Sequence, residues 1–297
     1  MTNITTFSFL ALPLALAAQL AAVDPAPAAA PAPLSLQVYH ADGNSFNVNA
    51  TLVTGKTDAV LLDTGFTRAD ALRIVGMVLD SHKTLTTIYI SQADPDFYFG
   101  LETVKQYFPA AKVVTTAPTL KKIQATWQGK IQFWGPKLGA NAPQTVPLPE
   151  VLSGNSITLE NQVLEIHGQD DALPHRSYVW IPSIQAIAGG VNLFAGLHVW
   201  TADTQTVQDR ATWIAKLDGM LALHPQIVVP GHTAPGEKQD VSQITYTRNY
   251  LVRFEAELAT SANAAALIET MKAAYPTAGL GIALDIGAKV NKGEMKW

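Results

Sequence analysis

The spacing of apolar residues changes several times along the chain. From Leu34 to Gly65 it falls into short β-like runs, LSLQVYHAD, FNVNATLVTG and DAVLLDTG, rich in Val, Leu and Thr and separated by Gly, Asn and Asp. TRADALRIVGMVLDS then takes a helical spacing, with Leu72, Val75, Val78 and Leu79 apolar. Thr67 reads as its N-cap, with Asp70 three residues on. LTTIYIS predicts a buried strand, GLETVKQYFP a second helix stopped by Pro109, and AKVVTT another strand. Strands alternating with helices mark an α/β layer arrangement.

The middle, Ala117 to Leu148, is less regular. IQATWQGKIQFWGPKLG predicts a helix followed by a loop over a cleft, with Trp127, Phe133 and Trp134 either lining a pocket or packing beneath the loop. The second half repeats the plan of strands first and helices after. SITLENQVLEIHG and RSYVWIPSIQAIAGG read as strands with turns, and DTQTVQDRATWIAKLDGMLALHP as a helix with Trp213, Leu217, Met220 and Leu221 on one side. QIVVPGHTAPG is a buried strand running into a glycine-rich turn, followed by helices near Ser242–Leu258 and Ala264–Ala274.

Composition adds exclusions. The chain has 297 residues, 48% hydrophobic and 15% charged, with a formal net charge of −4. That balance carries no electrostatic footprint for nucleic acid or for a membrane surface. With no cysteine, disulfides, thiolate metal sites and cysteine nucleophiles are excluded. FSFLALPLALAAQLAA is an apolar run ending in small residues and interrupted by Pro13, too short for a spanning helix. It reads as an export signal over residues 1–22, although no Lys or Arg precedes Lys56. VDPAPAAAPAP follows as an extended Pro/Ala linker, 23–33, and residues 34–297 form the folded body. The expected location is periplasmic or secreted, with no stable membrane span once the signal is cleaved.

Four signals fall at strand ends, where loops place chemistry over a rigid scaffold. Asp63, in LLDTG, either caps a turn or bonds backbone N–H groups or a neighbouring histidine. Asp94 and Asp96 flank Pro95 in YISQADPDFYFGLE. Two carboxylates so close repel unless a cation or a proton lies between them; an Asp-Pro-Asp turn with a helix N-cap is the competing reading. His175 precedes a strand. His232, in VVPGHTAPG, ends a buried strand at a sharp turn, which suits a metal ligand or a general acid–base.

In this order the segments resemble the metallo-β-lactamase fold superfamily, and in particular exported metallo-hydrolases with segments like GLHVWTADT and VWIPS. The resemblance covers about Leu34 to Leu258. It implies a four-layer αββα sandwich with a metal site at one edge, between the two sheets. The family's His-x-His-x-Asp-His motif falls on Gln92, Asp94, Asp96 and Phe97, so the aspartate alone is kept. The next ligand histidine falls on His175 and the last on His232, while the bridging aspartate falls at Gly189 or Gly190 and is absent. Asp63 matches the family's buried supporting aspartate.

The implied ligand set is Asp94, Asp96, His175 and His232, enough for at most one divalent ion: Zn, or the harder Mn or Mg that oxygen ligands favour. No metal at all is the other expectation. Gln92, Phe97, Tyr98 and His198 are expected beside the site; for His198 a place packed against Trp200 is equally open. The expected activity is hydrolysis of a small-molecule ester, lactone or related carbonyl compound, with Asp96 and His232 catalytic. The alternative is a metal-free, non-catalytic or ligand-binding member of the fold.

Overall fold

The computed structural model describes residues 1–4, 8 and 32–297. The segments read as export signal and linker fall almost entirely outside these. Among the described residues, no helix is long and apolar enough to cross a membrane.

The body contains two large sheets. The first is formed by β1 (Ser35–His40), β2 (Asn49–Thr54), β3 (Asp58–Leu62), β4 (Thr84–Tyr89), β5 (Lys112–Thr115) and β6 (Glu150–Val151), in that order. The first three strands pair antiparallel and the rest parallel. The second sheet uses β7 (Ser156–Leu159), β8 (Gln162–His167), β9 (Tyr178–Ile181) and β10 (Ala186–Ala188). Two short strands complete the set: β11 (Phe194–Ala195) and β12 (Ile227–Val228), the latter parallel to β10 at the edge of the second sheet. Lastly, β13 (His232–Thr233) pairs with β11, placing His232 opposite Phe194.

Three separate apolar clusters show how the sheets are layered. Along a strand, successive side chains point to opposite faces. In β3, Ala59 and Leu61 join one cluster while Val60 and Leu62 join another. In β9, Val179 and Ile181 meet Val60 and Leu62 in the cluster between the sheets, while Tyr178 and Trp180 face the opposite way. Both faces of β3 and β9 are therefore buried, which explains why these two strands read as continuous apolar runs.

The outer clusters are covered by helices. On the first sheet lie α1 (Arg68–Asp80), the single turn α2 (Pro95–Tyr98), α3 (Leu101–Tyr107) and the start of α4 (Ala117–Leu138). On the second lie α5 (Val207–Ala222), α6 (Ser242–Thr260), α7 (Ala264–Ala274) and α8 (Gly281–Asn291). The layers run helix, sheet, sheet, helix: the αββα sandwich.

Two local readings of the sequence are refined. Thr67 and Asp70 form a reciprocal capping box on α1. The buried stripe of that helix is Ala71, Ile74, Val75 and Val78, whereas Leu72 and Leu79 face solvent. α4 is also longer than the pattern suggested, with 22 residues and Pro136 inside its last turn.

Candidate functional site

The site is assembled where the ends of β3, β4 and β10 meet. Asp63 follows β3 with a left-handed backbone, φ 65°, and is almost fully buried. Its carboxylate accepts from the Ser91 N–H at 2.8 Å and the Ser91 hydroxyl at 2.6 Å. That hydroxyl accepts in turn from the Gly190 N–H at 2.7 Å. One serine thus ties the loop after β4 to the loop after β10, across the two sheets. Burial pushes the Asp63 carboxyl up to about 7, against the hydrogen bonds from Ser91. Asp63 thus accepts from a backbone N–H, one of the roles read from LLDTG, and its hydrogen-bond partner is a serine and not a histidine.

The glycines of the second sheet's edge permit its close approach. At Gly190, φ 82°, an added Cβ would lie 2.1 Å from the Ser177 carbonyl oxygen. At Gly231 it would lie 2.3 Å from the Gly190 carbonyl oxygen. At Gly190, one of the two positions where the bridging aspartate was expected, no side chain fits. The Pro230–Thr233 turn is held to β2 by the Asn49 amide, which donates to the Pro230 carbonyl at 2.7 Å and to the Thr233 hydroxyl at 2.8 Å.

This framework presents His232 in an apolar slot. Its ring stacks on Phe194 at 4.8 Å and meets the edge of Phe97 at 5.5 Å. Nδ1 lies 2.9 Å from the Phe46 carbonyl oxygen, an acceptor only, so Nδ1 carries the proton. Nε2 is left as the lone-pair nitrogen, 3.5 Å from Oδ2 of Asp96. Burial lowers His232 to about 4. Burial first, and the charge of Asp94 second, raise Asp96 to about 8. Near neutral pH the pair is therefore a carboxylic acid beside a neutral imidazole.

Asp94 behaves differently. It stands at the N-cap position of α2, yet its side chain does not cap the helix. One oxygen takes the Lys130 ammonium at 3.2 Å, and the other accepts from the Gln92 amide at 3.0 Å. Burial acts to raise its pKa, but the charges of Lys130 and Lys122 prevail and bring it down to about 2. Two carboxylates two residues apart are thus held in opposite protonation states by opposite surroundings.

Asp94, Asp96, Phe97 and His232 line one cavity of about 620 Å³, of the size that takes a drug-sized molecule. Its walls are rich in aromatics, among them Phe46, Phe133, Trp134, Phe194, Trp200 and Trp297. α4 forms the roof, presenting Lys122, Thr126, Lys130, Phe133 and Trp134 at helical spacing. Of the three aromatics read from that segment, Phe133 and Trp134 line the cavity, while Trp127 packs against the core of the first sheet. Asp203 closes one side, its two oxygens accepting from the Trp200 and Trp297 indoles at 3.0 and 2.9 Å.

The other sequence candidates lie elsewhere. His175 does not line the cavity; burial, with the nearby charges of Lys122 and Arg176, lowers it to about 3. His198 is buried against Tyr250, its Nδ1 3.0 Å from the phenol oxygen. Tyr98 packs into the first sheet's core with its hydroxyl unpartnered. Gln92 reaches the site only through Asp94, and its Oε1 has no partner. Two histidines outside the candidate set, His82 and His224, lie just beyond α1 and α5 in left-handed conformation, φ 55° and 51°. Sequence reasoning missed Lys130, Lys122, Trp200, Asp203 and Trp297; only the helical repeat of lysines and aromatics in α4 could have pointed to the first two.

Among the described residues, no three His, Asp or Glu side chains gather as a metal-holding group. Asp94 has a donor on each oxygen, His175 is outside the cavity, and Phe97 and Gly190 offer no ligand atom in the side chain. The residues present do not fit the divalent ion that the resemblance implied.

Comparison with solved structures bears on the fold. A DIM-1 metallo-β-lactamase exposed to ceftazidime is 17% identical, covering 74% of this chain and 93% of its own, with a TM-score of 0.52. A metallo-β-lactamase from Pontibacter korlensis is 16% identical over 74% and 95%, with a TM-score of 0.51. A metallo-β-lactamase family protein from Thermus thermophilus is 15% identical over 88% and 92%, with a TM-score of 0.58. No family model and no curated sequence matches the chain. The protein has the metallo-β-lactamase fold.

Proposed function

We propose that this protein is a hydrolase of apolar esters or lactones in which Asp96 moves the proton without a metal ion. The reading rests on the Asp96–His232 pair, 3.5 Å apart on the wall of an aromatic cavity. A carboxyl held near 8 sits close to the pH at which general acid–base groups work best. In its ionised form Asp96 takes a proton from water as the water oxygen bonds to the carbonyl carbon. The tetrahedral adduct then expels the alkoxide, and Asp96 returns the proton to it. His232 Nε2 accepts a hydrogen bond from the protonated acid between these steps; the present separation shortens when substrate closes the site, as is common at catalytic contacts. Few polar groups line the cavity besides its charged residues, which favours a substrate whose acyl or ring portion is apolar.

A second reading is a ligand-binding protein without turnover. The Lys130–Asp94 pair favours it, because it fixes one of the two carboxylates in place. Initial rates on p-nitrophenyl esters and γ-lactones of increasing chain length separate the two readings. The hydrolase predicts turnover that rises with pH through about 8 and falls at least 100-fold in Asp96→Asn. No turnover, with tight quenching of the cavity tryptophans by the same compounds, establishes the binding protein. Neither turnover nor quenching overturns both.

A further inference from the structure

The disagreement between this cavity and a metal ion traces to one side chain. We infer that the Lys130 ammonium occupies the cation's place in this site: it balances Asp94, keeps divalent ions out and locks α4 to the loop that carries Asp94 and Asp96.

Lys130 reaches from the roof helix to the floor loop, 36 positions away in sequence. Its Nζ donates to Asp94 Oδ1 at 3.2 Å and to the Ala93 carbonyl at 2.7 Å. Gln92 holds the other Asp94 oxygen at 3.0 Å. The carboxylate is therefore gripped from both sides, by a cation from one helix and an amide from its own loop. An ordinary surface lysine would make one screened contact. This one is partly buried and bonds a backbone carbonyl as well as a charge, which is how a structural cation behaves.

The surrounding charge fits. Lys122 lines the same cavity on the same helical stripe, eight residues earlier, and Arg176 is fully buried nearby with its guanidinium stacked 3.9 Å from the Trp213 ring centroid. Both act on Asp94 in the same sense as Lys130. A divalent ion entering between Asp94, Asp96 and His232 would meet three resident positive charges. Remove Lys130, and Asp94 keeps only a neutral amide. The three oxygen and nitrogen donors that line the cavity then lie open to a cation.

Metal stoichiometry tests this independently of any hydrolytic activity, so it fails or stands apart from the function proposed above. The unaltered full chain, equilibrated with micromolar zinc or manganese and dialysed, is expected to retain well under one equivalent by elemental analysis. Lys130→Ala and Lys130→Gln are expected to bind zinc at least about tenfold more tightly by calorimetry, a change of about 1.4 kcal/mol. Lys130→Arg, which restores the charge, is expected to return to weak binding. A full equivalent of metal held by the unaltered chain overturns the inference. So does equal zinc affinity in the alanine and glutamine variants and the parent. Circular dichroism identifies any variant that fails to fold, and the measurement on the unaltered chain then decides alone.

Discussion

Replacing Asp96 by Asn should make this protein more stable, and by an amount that depends on pH. The side chain is buried and its carboxyl is held at about 8, against 3.8 for an ordinary aspartate. The folded chain thus keeps a proton that the unfolded chain gives up. Stability is lost as pH rises from 3.8, at about 1.4 kcal/mol per unit, and the loss stops above about 8. At pH 5 the cost is about 1.5 kcal/mol and at pH 7 about 4 kcal/mol, by the same linkage. Asn has the shape of the protonated acid and does not ionise, so the variant escapes this cost while its amide still faces His232. Asp94 and His175 titrate in both proteins and cancel in the difference. Urea denaturation of both proteins at pH 5, 6, 7 and 8 measures the gap. It should widen steadily to about 8 and raise the midpoint of thermal unfolding at pH 7 by on the order of 10 °C, taking about 2–4 °C per kcal/mol for a chain near this size. A gap that does not change with pH, or a variant less stable than the parent at pH 7, refutes the assignment of a neutral Asp96. A gain in stability with a loss of turnover is the usual trade at a working acid–base group.

Ser91→Ala removes one bond to the buried Asp63 carboxylate and orphans the Gly190 N–H; it should cost about 3 kcal/mol in urea unfolding. Gly190→Ala drives a Cβ to 2.1 Å from a backbone oxygen, whereas Gly236→Ala, at a similar φ of 85°, meets nothing within 4 Å. The first should destabilise by more than about 3 kcal/mol and the second by only about 1 kcal/mol, as compared by thermal unfolding. Lys216→Met strips the buried ammonium from the carbonyls of Gly168, Leu173 and Arg176; amide hydrogen exchange over residues 168–176 should accelerate by an order of magnitude or more, an effect of about 1.4 kcal/mol or above.

The layers were legible because the strands carry their burial in their composition. DAVLLDTG has no polar residue between Ala59 and Leu62, and both faces of β3 are covered. Asp63, Asp96 and His232 were legible for another reason: each lies in a turn marked by a nearby Gly65, Pro95 or Gly231, where the turn limits what the residue can do. α1 was legible only in part, because apolar residues lie on two of its sides and spacing alone does not choose Ala71 and Ile74 over Leu72 and Leu79. α8 escaped notice because it starts after Leu280, in left-handed conformation with no side-chain cap, and contains a glycine at Gly287. Lys130 was invisible as a site residue. Its role depends on how α4 crosses the cleft, a tertiary fact that no local pattern encodes.

α4 buries only Thr119 and Ile123 fully, both within its first two turns. Its farther half rests on partly buried Ile131, Trp134 and Leu138 and on the tether at Lys130. A helix half held by one polar tether and a few half-buried contacts lifts at less cost than one packed firmly along its length. Traffic in and out of the cavity is then gated: the observed association rate should level off at high ligand concentration, at the frequency with which the helix lifts. Two ligands of very different affinity would reach the same plateau, because the plateau belongs to the roof and not to what lies beneath it.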